Sequence, residues 1–540
     1  AATLALGANF ERIWTTYEYG KYSTRSQSEL TIDGNQDNKT SGLNKDYATS
    51  WSYGKMETFN LMIPNLMGGA SGSELSEDSD VYQVLKKNRV PNAKNIIKRM
   101  PTYWGDQPFT SGPVYIGAVI CFLFVFGTFI VKGRLKWWLI TCTLLSFALA
   151  WGHNMMWLTD IFLDYVPGYN KFRSVSMILV IAELTIPFLG FLALKEILSE
   201  NTDKEEVIKS LKYTLGITGG LCLIFAFMGS FLFDFVSRGD AQLPDFIVSA
   251  LESDRASLLQ SDSLRSLFFI LLTGLSIYLF HTKKIKMVAF ASVLAVLVLA
   301  DMLPVNKRYL NADDFVKARK IEQPFQKTAV DAQILADKEL NFRVYNLAER
   351  IDAGARTSYF HNNIAGYHGA KLKRYQELMD MQLSKANASV VNMLNTKYII
   401  RKGQSGDLIA SQNPSRFGPV WLVKEIRVVA NADEEMNLLS TFDLSNKAIV
   451  DQRFGLSNTS YSATGSILLS SYEPNHLIYD VNVDEASFAV FSEIFYDKGW
   501  NAYINGELNK HYRVNYVLRG MNLPKGEYQV EFKFEPYSVA

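Results

Sequence analysis

Apolar residues in this chain gather into blocks rather than spreading evenly. The first, residues 114–131 (VYIGAVICFLFVFGTFIV), is an uncharged run of about 18 residues. As a helix rising 1.5 Å per residue it would extend about 27 Å, close to the thickness of a hydrocarbon core. Five more blocks follow, at 137–152, 174–194, 213–236, 267–280 and 287–303, the last two being short. A buried hairpin of core helices is the alternative for the short pair, but six such blocks between residues 114 and 303 fit a soluble core poorly. The pattern predicts a polytopic α-helical membrane region over 114–303, with about six spans.

The polar stretches between the blocks alternate in charge. KGRLK at 132–136, the segment 195–212 and KKIK at 283–286 carry the basic clusters, and the intervening loops carry fewer. Basic residues in short loops stay on the cytoplasmic side. The region 1–113 and everything beyond 303 are therefore expected outside the cytoplasm, in a multi-pass membrane protein with large extracytoplasmic parts. AATLALGAN at the start reads like the outer end of an apolar helix, so the chain is expected to be the later part of a longer protein.

Region 1–113 is rich in Gly, Ser, Asn and Tyr, with a helix expected near 78–99 and interrupted at Pro91. From 304 to 444 helix and strand signals are mixed. From 445 to 540 runs such as HLIYDVNV, ASFAVFSEIFY and EYQVEFKFEP alternate apolar and polar residues between PN, NG and PKG turns. Strands with one buried face, assembled as a β-sandwich-like domain, are the expectation.

Composition narrows the function classes. Lys and Arg number 55 against 54 Asp and Glu, so no global field recruits nucleic acid. Cys121, Cys142 and Cys222 all fall inside apolar blocks, where a cysteine behaves as a small hydrophobe rather than a disulfide partner or metal ligand. No Walker loop, dinucleotide fingerprint, HExxH or nucleophile elbow occurs in its required context. GITGG at 216–220 reads as close helix packing, and Trp137, Trp138, Trp151 and Trp157 as an interfacial belt.

Candidate chemistry concentrates in the loop after the second block. WGHNMMWLTDIFLDYVPGYNKFRS places His153, Asp160, Asp164, Tyr169, Lys171 and Arg173 within about twenty residues at the outer surface. Arg173 could grip a lipid-linked phosphate with its planar fork and Lys171 could add a point charge; the competing reading is that both anchor a helix at the headgroups. Asp160 and Asp164 lie four apart, on one face of a helix, where they could serve as base or metal ligand or be solvated. Glu183 is the charged residue inside a span, expected to face the bundle interior. In the tail, Tyr496, Trp500, Tyr503 and Tyr512 could stack against sugar or sit in the core. Asn387-Ala-Ser and Asn458-Thr-Ser match the glycosylation sequon.

The tail from Glu493 reads EIFYDKGWNAYING and later NYVLRGMNLPKGEYQVEFKFEP. Together with TTYEYGKYSTRS (15–26), YWGDQPFTSGPVYIG (103–117), VPGYNKFRS (166–174), FRVYN at Phe342 and MLNTKYII before Arg401, it resembles the bacterial YfhO-like membrane proteins, in a Bacteroidetes-type form. The resemblance implies a GT-C-type glycosyltransferase that moves a sugar from a polyprenyl-phosphate donor to a cell-envelope glycan or polymer on the outer face. It implies that Tyr19 and Arg25, with Tyr169, Lys171 and Arg173, surround the donor phosphate. No catalytic acid carries over, no metal ligands are assigned, and a divalent cation beside the basic groups is left open. The competing class is a transporter or a surface-glycan assembly or binding protein.

Overall fold

The computed structural model describes residues 2–32, 39–199 and 202–537. The chain divides into two compact units, one of residues 44–316 and one joining 1–43 to 317–540.

In the unit 44–316 every apolar block is helical. The helices are α1 (Ala118–Ile130), α2 (Arg134–Ala150), α3 (Met156–Tyr165), α4 (Val180–Leu198), α5 (Lys204–Leu232), α6 (Asp245–His281) and α7 (Met287–Tyr309). Four of these, those containing α4, α5, α6 and α7, are long and apolar enough to cross a membrane; a fifth span results if α2 and α3, bent by 114° at their junction, count as one. The expected first span is shortened at its start. Residues before Ala118 are extended, because the Ile116 and Gly117 amides donate to Leu61 O (3.1 and 3.2 Å) instead of opening a helical turn. α1 is left with 13 residues, about 20 Å.

The block at 267–280 is the end of a 37-residue helix. Its first half was unreadable from hydropathy because it carries Asp254, Arg255, Asp262 and Arg265, and each of these is paired. Asp254 accepts the amides of Asp80 and Val81 (2.8 and 3.0 Å) at the start of the helix Asp80–Lys87. Arg308 forks onto Asp262 (2.6 and 2.8 Å), and Arg265 donates to Asp301 (3.0 Å), which also accepts Tyr115 Oη–H and the Val119 amide. The deepest pair is Arg255 with Asp240, whose side chains are 0% and 4% exposed.

Close approach of α1 to α4 rests on small residues. A Cβ on Gly127 would sit 2.9 Å from Leu189 O, and one on Gly190 would sit 3.1 Å from Leu123 Cβ. In the GITGG run only Gly219 meets a neighbouring helix, at Leu267; Gly216 and Gly220 face open space, so the run is not a packing motif throughout. Glu183 also departs from expectation. It is exposed, in the first turn of α4, and does not point into the bundle; there the helix dipole favours a carboxylate. The three basic loops meet at one end of the helices, where Lys132 pairs with Glu206 (2.8 Å) and His281 interacts with Lys204.

The second unit is built on strands β1 (Arg343–Asn346), β2 (Thr396–Lys402), β3 (Leu408–Gln412), β4 (Val420–Val423), β5 (Glu425–Val429), β6 (Lys447–Asp451), β7 (Gly465–Glu473), β8 (His476–Val483), β9 (Ser487–Ile494), β10 (Trp500–Ile504), β11 (Glu507–Asn509), β12 (His511–Val514), β13 (Leu518–Leu523) and β14 (Gly526–Phe534). Two sheets, ordered β11-β10-β14-β8-β7 and β12-β13-β9-β4, enclose a common core that includes Tyr479, Phe491, Met521 and Phe532. β8 alternates as its sequence predicts. β9 does not: seven of its eight residues are buried, because Phe488 and Val490 pack into a second core on its other face, against helices of 372–394 and the parallel pair β5-β6. β4, from upstream of residue 445, supplies the edge beside β9.

Candidate functional site

The site in the unit 44–316 is formed by the bend between α2 and α3. Gly152 makes that bend with φ of 46°, and a Cβ there would overlap Ser52 Oγ. The segment 49–58 is laced to it. The Tyr53 amide donates to Ala150 O (2.8 Å), the His153 amide to Ser52 Oγ (2.9 Å), Asn154 Nδ2 to Tyr53 O (3.0 Å) and Trp151 Nε1 to Thr58 Oγ1 (2.9 Å). The Ser176 amide donates to Trp51 O (3.3 Å) and so fastens the start of the next span.

Arg173 lies at this junction. Its guanidinium stacks over Tyr47 (5.4 Å) and Trp51 (5.1 Å), and Nη1 donates to Tyr47 Oη (2.8 Å). Among the described residues no carboxylate pairs with it. Aromatic stacking fixes the plane of the fork and leaves its other donors directed elsewhere. Trp51 in turn meets Phe109 edge-on at 5.2 Å. Burial makes the charged form of Lys171 costlier and lowers its pKa. Tyr169 packs against Phe162, and its buried hydroxyl has no hydrogen-bond partner among the described residues. Asp160 accepts from Lys45 Nζ (2.6 Å), whereas Asp164, one turn on, is exposed. His153 places Nδ1 3.3 Å from Thr49 O.

Two acidic residues that the residue-by-residue reading passed over stand beside these. Asp106 is exposed and accepts from Asn154 Nδ2 (2.9 Å). Glu57 is 1% exposed and among the described residues has no cation; it accepts from Tyr103 Oη (2.8 Å), Gln107 Nε2 (3.0 Å) and the Gly54 amide (3.0 Å). Burial raises its pKa, with the Asp106 charge adding to the rise against those hydrogen bonds. Asp106 lies within the YWGDQPFTSGP run, so the sequence held a signal for it; Glu57, in KMETFNL, had none. Among the described residues no group of three or more His, Cys, Asp and Glu is placed to hold a metal.

Tyr19 and Arg25 belong to the other unit. Tyr19 Oη donates to Ala370 O (2.8 Å) and Arg25 Nη1 to Gly369 O (2.6 Å), and the Thr24 and Lys373 amides donate to Lys371 O and Tyr22 O. These contacts strap the N-terminal segment onto residues 369–373. Tyr19 and Tyr22 also pack edge-on against Tyr496, and burial raises the pKa of Tyr496 to about 12. The four tail aromatics do not share a face: Tyr512 is buried in a core, Trp500 lies under Arg519 (4.1 Å), and Tyr503 donates to Glu535 (2.6 Å). Asn387 caps the helix Ala388–Met393 with its side chain.

Residues 458–539, which run from just before β7 past β14, match the family model described as Bacterial membrane protein YfhO. No curated protein and no solved structure matches the chain. The unit 44–316 thus carries four to five membrane-length helices, and the tail of the other unit is similar to the YfhO family of bacterial membrane proteins.

Proposed function

We propose that the chain works as a GT-C-like integral membrane glycosyltransferase. It transfers a sugar from a polyprenyl-phosphate donor to a cell-envelope glycan on the outer face of the inner membrane. In this reading all six apolar helices lie in the bilayer, and regions 1–113, 304–444 and 445–540 are periplasmic. The three basic loops face the cytoplasm.

The observation that carries the reading is Arg173: a guanidinium held flat on Tyr47 and Trp51, given to no carboxylate among the described residues, beside the first turn of a membrane-length helix. A phosphate diester at headgroup depth is the ligand such a fork suits. Lys171 and Tyr169 lie two and four residues away in the same loop. A departing lipid phosphate would be stabilised there by charge-assisted donors. Asp106, exposed near the same bend, is a carboxylate available to activate an acceptor hydroxyl.

Arg173→Ala in the full-length protein should abolish glycan modification while membrane insertion and abundance stay normal, and Arg173→Lys should restore only part of it. Surface glycan that is unchanged in Arg173→Ala overturns the assignment. The 114° break between α2 and α3 favours a second reading, transport, since broken helices build transporter sites. Transport predicts that the variant accumulates intact lipid-linked sugar on the inner leaflet; transfer predicts that it accumulates on the outer leaflet.

A further inference from the structure

The unit 1–43 with 317–540 contains a cavity of about 340 Å³ walled by Asp337, Glu339, Phe342, Tyr359, Phe360 and His361, within the size range of small-molecule sites. Its charges are already matched. Lys397 bonds both Asp337 (2.5 Å) and Glu339 (2.7 Å), and Arg416 forks onto Glu339 (2.6 and 2.7 Å). Behind His361, Asp331 accepts from its Nε2 (3.1 Å) and is paired with Arg356.

Three carboxylates therefore stand against three cations. An anionic ligand finds no uncommitted cation in this set, and a cationic ligand finds carboxylates that are already compensated. Asp337 and Glu339 nevertheless each keep a lone pair for a hydroxyl donor, since each has more acceptor sites than bonds received. Tyr359 is 48% exposed and stands edge-on to both Phe325 and Phe360, a rigid apolar wall open to solvent. A ring presenting C–H bonds on its face and hydroxyls at its rim satisfies both halves of this lining.

We infer that this cavity binds a neutral saccharide of one or two rings. The inference is independent of the Arg173 site and of whether the chain transfers or transports. The ridge formed by the Lys397 and Arg416 pairs separates it from a second cavity of about 410 Å³ lined by Lys397, Gln412, Asn413 and Arg416. A longer glycan therefore has a continuation in the same unit.

The test is saturation-transfer NMR on the full chain in nanodiscs free of glycoside detergent. The probes are maltose, cellobiose, mannobiose and diacetylchitobiose, with glucose 1-phosphate and glucosamine as charged controls. At least one neutral disaccharide should bind saturably, the charged sugars should bind more weakly, and Tyr359→Ala should weaken binding by about tenfold. Tyr503→Ala, on a half-buried aromatic elsewhere in the unit, should leave binding unchanged. The inference is overturned if no neutral probe saturates, if a charged sugar binds more tightly, or if Tyr359→Ala binds like the wild type. Tyr359 touches solvent, so a folded variant is expected, and its circular dichroism checks this.

Discussion

Two arginines in the membrane-helix unit present opposite arrangements. Arg255 has spent every donor: Nε on Thr102 O (3.1 Å), Nη1 on Phe235 O and Asp240 (both 2.7 Å), and Nη2 on Pro101 O (2.6 Å) and Asp240 (2.9 Å). Among the described residues Arg173 makes one hydrogen bond, to a tyrosine, and otherwise rests on ring faces. Both are cations of one unit, set outside its apolar runs. The first, fully satisfied and sealed, holds residues 101–102, 235 and 240 to α6; the second is oriented without being neutralised. Satisfaction of donors, rather than charge or position along the chain, separates the two.

The largest way to break this comparison is Arg255→Ala. It leaves Asp240 buried without a cation, with the Ser237 amide still donating to it, which costs ~3–5 kcal/mol, and thermal unfolding in nanodiscs should show that loss as reduced stability and abundance. A variant as stable as wild type would mean that the sealed pair is not the anchor described. Glu57→Ala comes next: it strands three buried donors at ~1–3 kcal/mol.

Glu57 also gives a pH signature. Because its folded pKa is raised above the unfolded value of 4.5, its ionisation costs nothing below about pH 4.5, and the penalty grows as pH rises through the folded value. Glu57→Gln should therefore flatten the decline of stability with rising pH, measured as melting temperature across pH 4 to 8. A parallel curve to wild type would remove Glu57 from the account.

Arg173→Ala should cost about 1 kcal/mol or less, the size of an exposed cation–π contact, while eliminating retention of a polyprenyl phosphate in a vesicle flotation assay. A large stability loss would place Arg173 beside Arg255 as a structural residue. Smallest of all is Lys45→Ala: its pair with Asp160 is partly exposed, at 22% and 36% of the side chains. Such pairs contribute below about 1 kcal/mol, so melting should barely move.

Much of the fold could be read directly. Apolar runs became helices because nothing in them competes with that state, and β8 kept its alternation because it has one wet face. What could not be read depended on distant partners. The first half of α6 looked like a loop until Asp80, Asp240, Asp301 and Arg308 supplied the groups that meet its charges. β9 looked one-sided until a second core covered it. The site was half legible: VPGYNKFRS drew the eye to Arg173, but the rings that hold it, Tyr47 and Trp51, lie more than 120 residues upstream. Tyr19 and Arg25 belong to the same set of motifs, yet their side chains donate to backbone carbonyls of 369–370 in the other unit.

α6 runs unbroken for 37 residues, about 56 Å, with its apolar stretch at one end and its paired charges at the other. A helix without a hinge is a lever. A tilt of about 10° about the apolar end swings the polar end, about 33 Å long, by roughly 6 Å. Residues 65, 80–81, 101–102 and 240, bonded to that end or to its side chains, would travel with it. The inclination of one helix thereby sets the position of all these segments together.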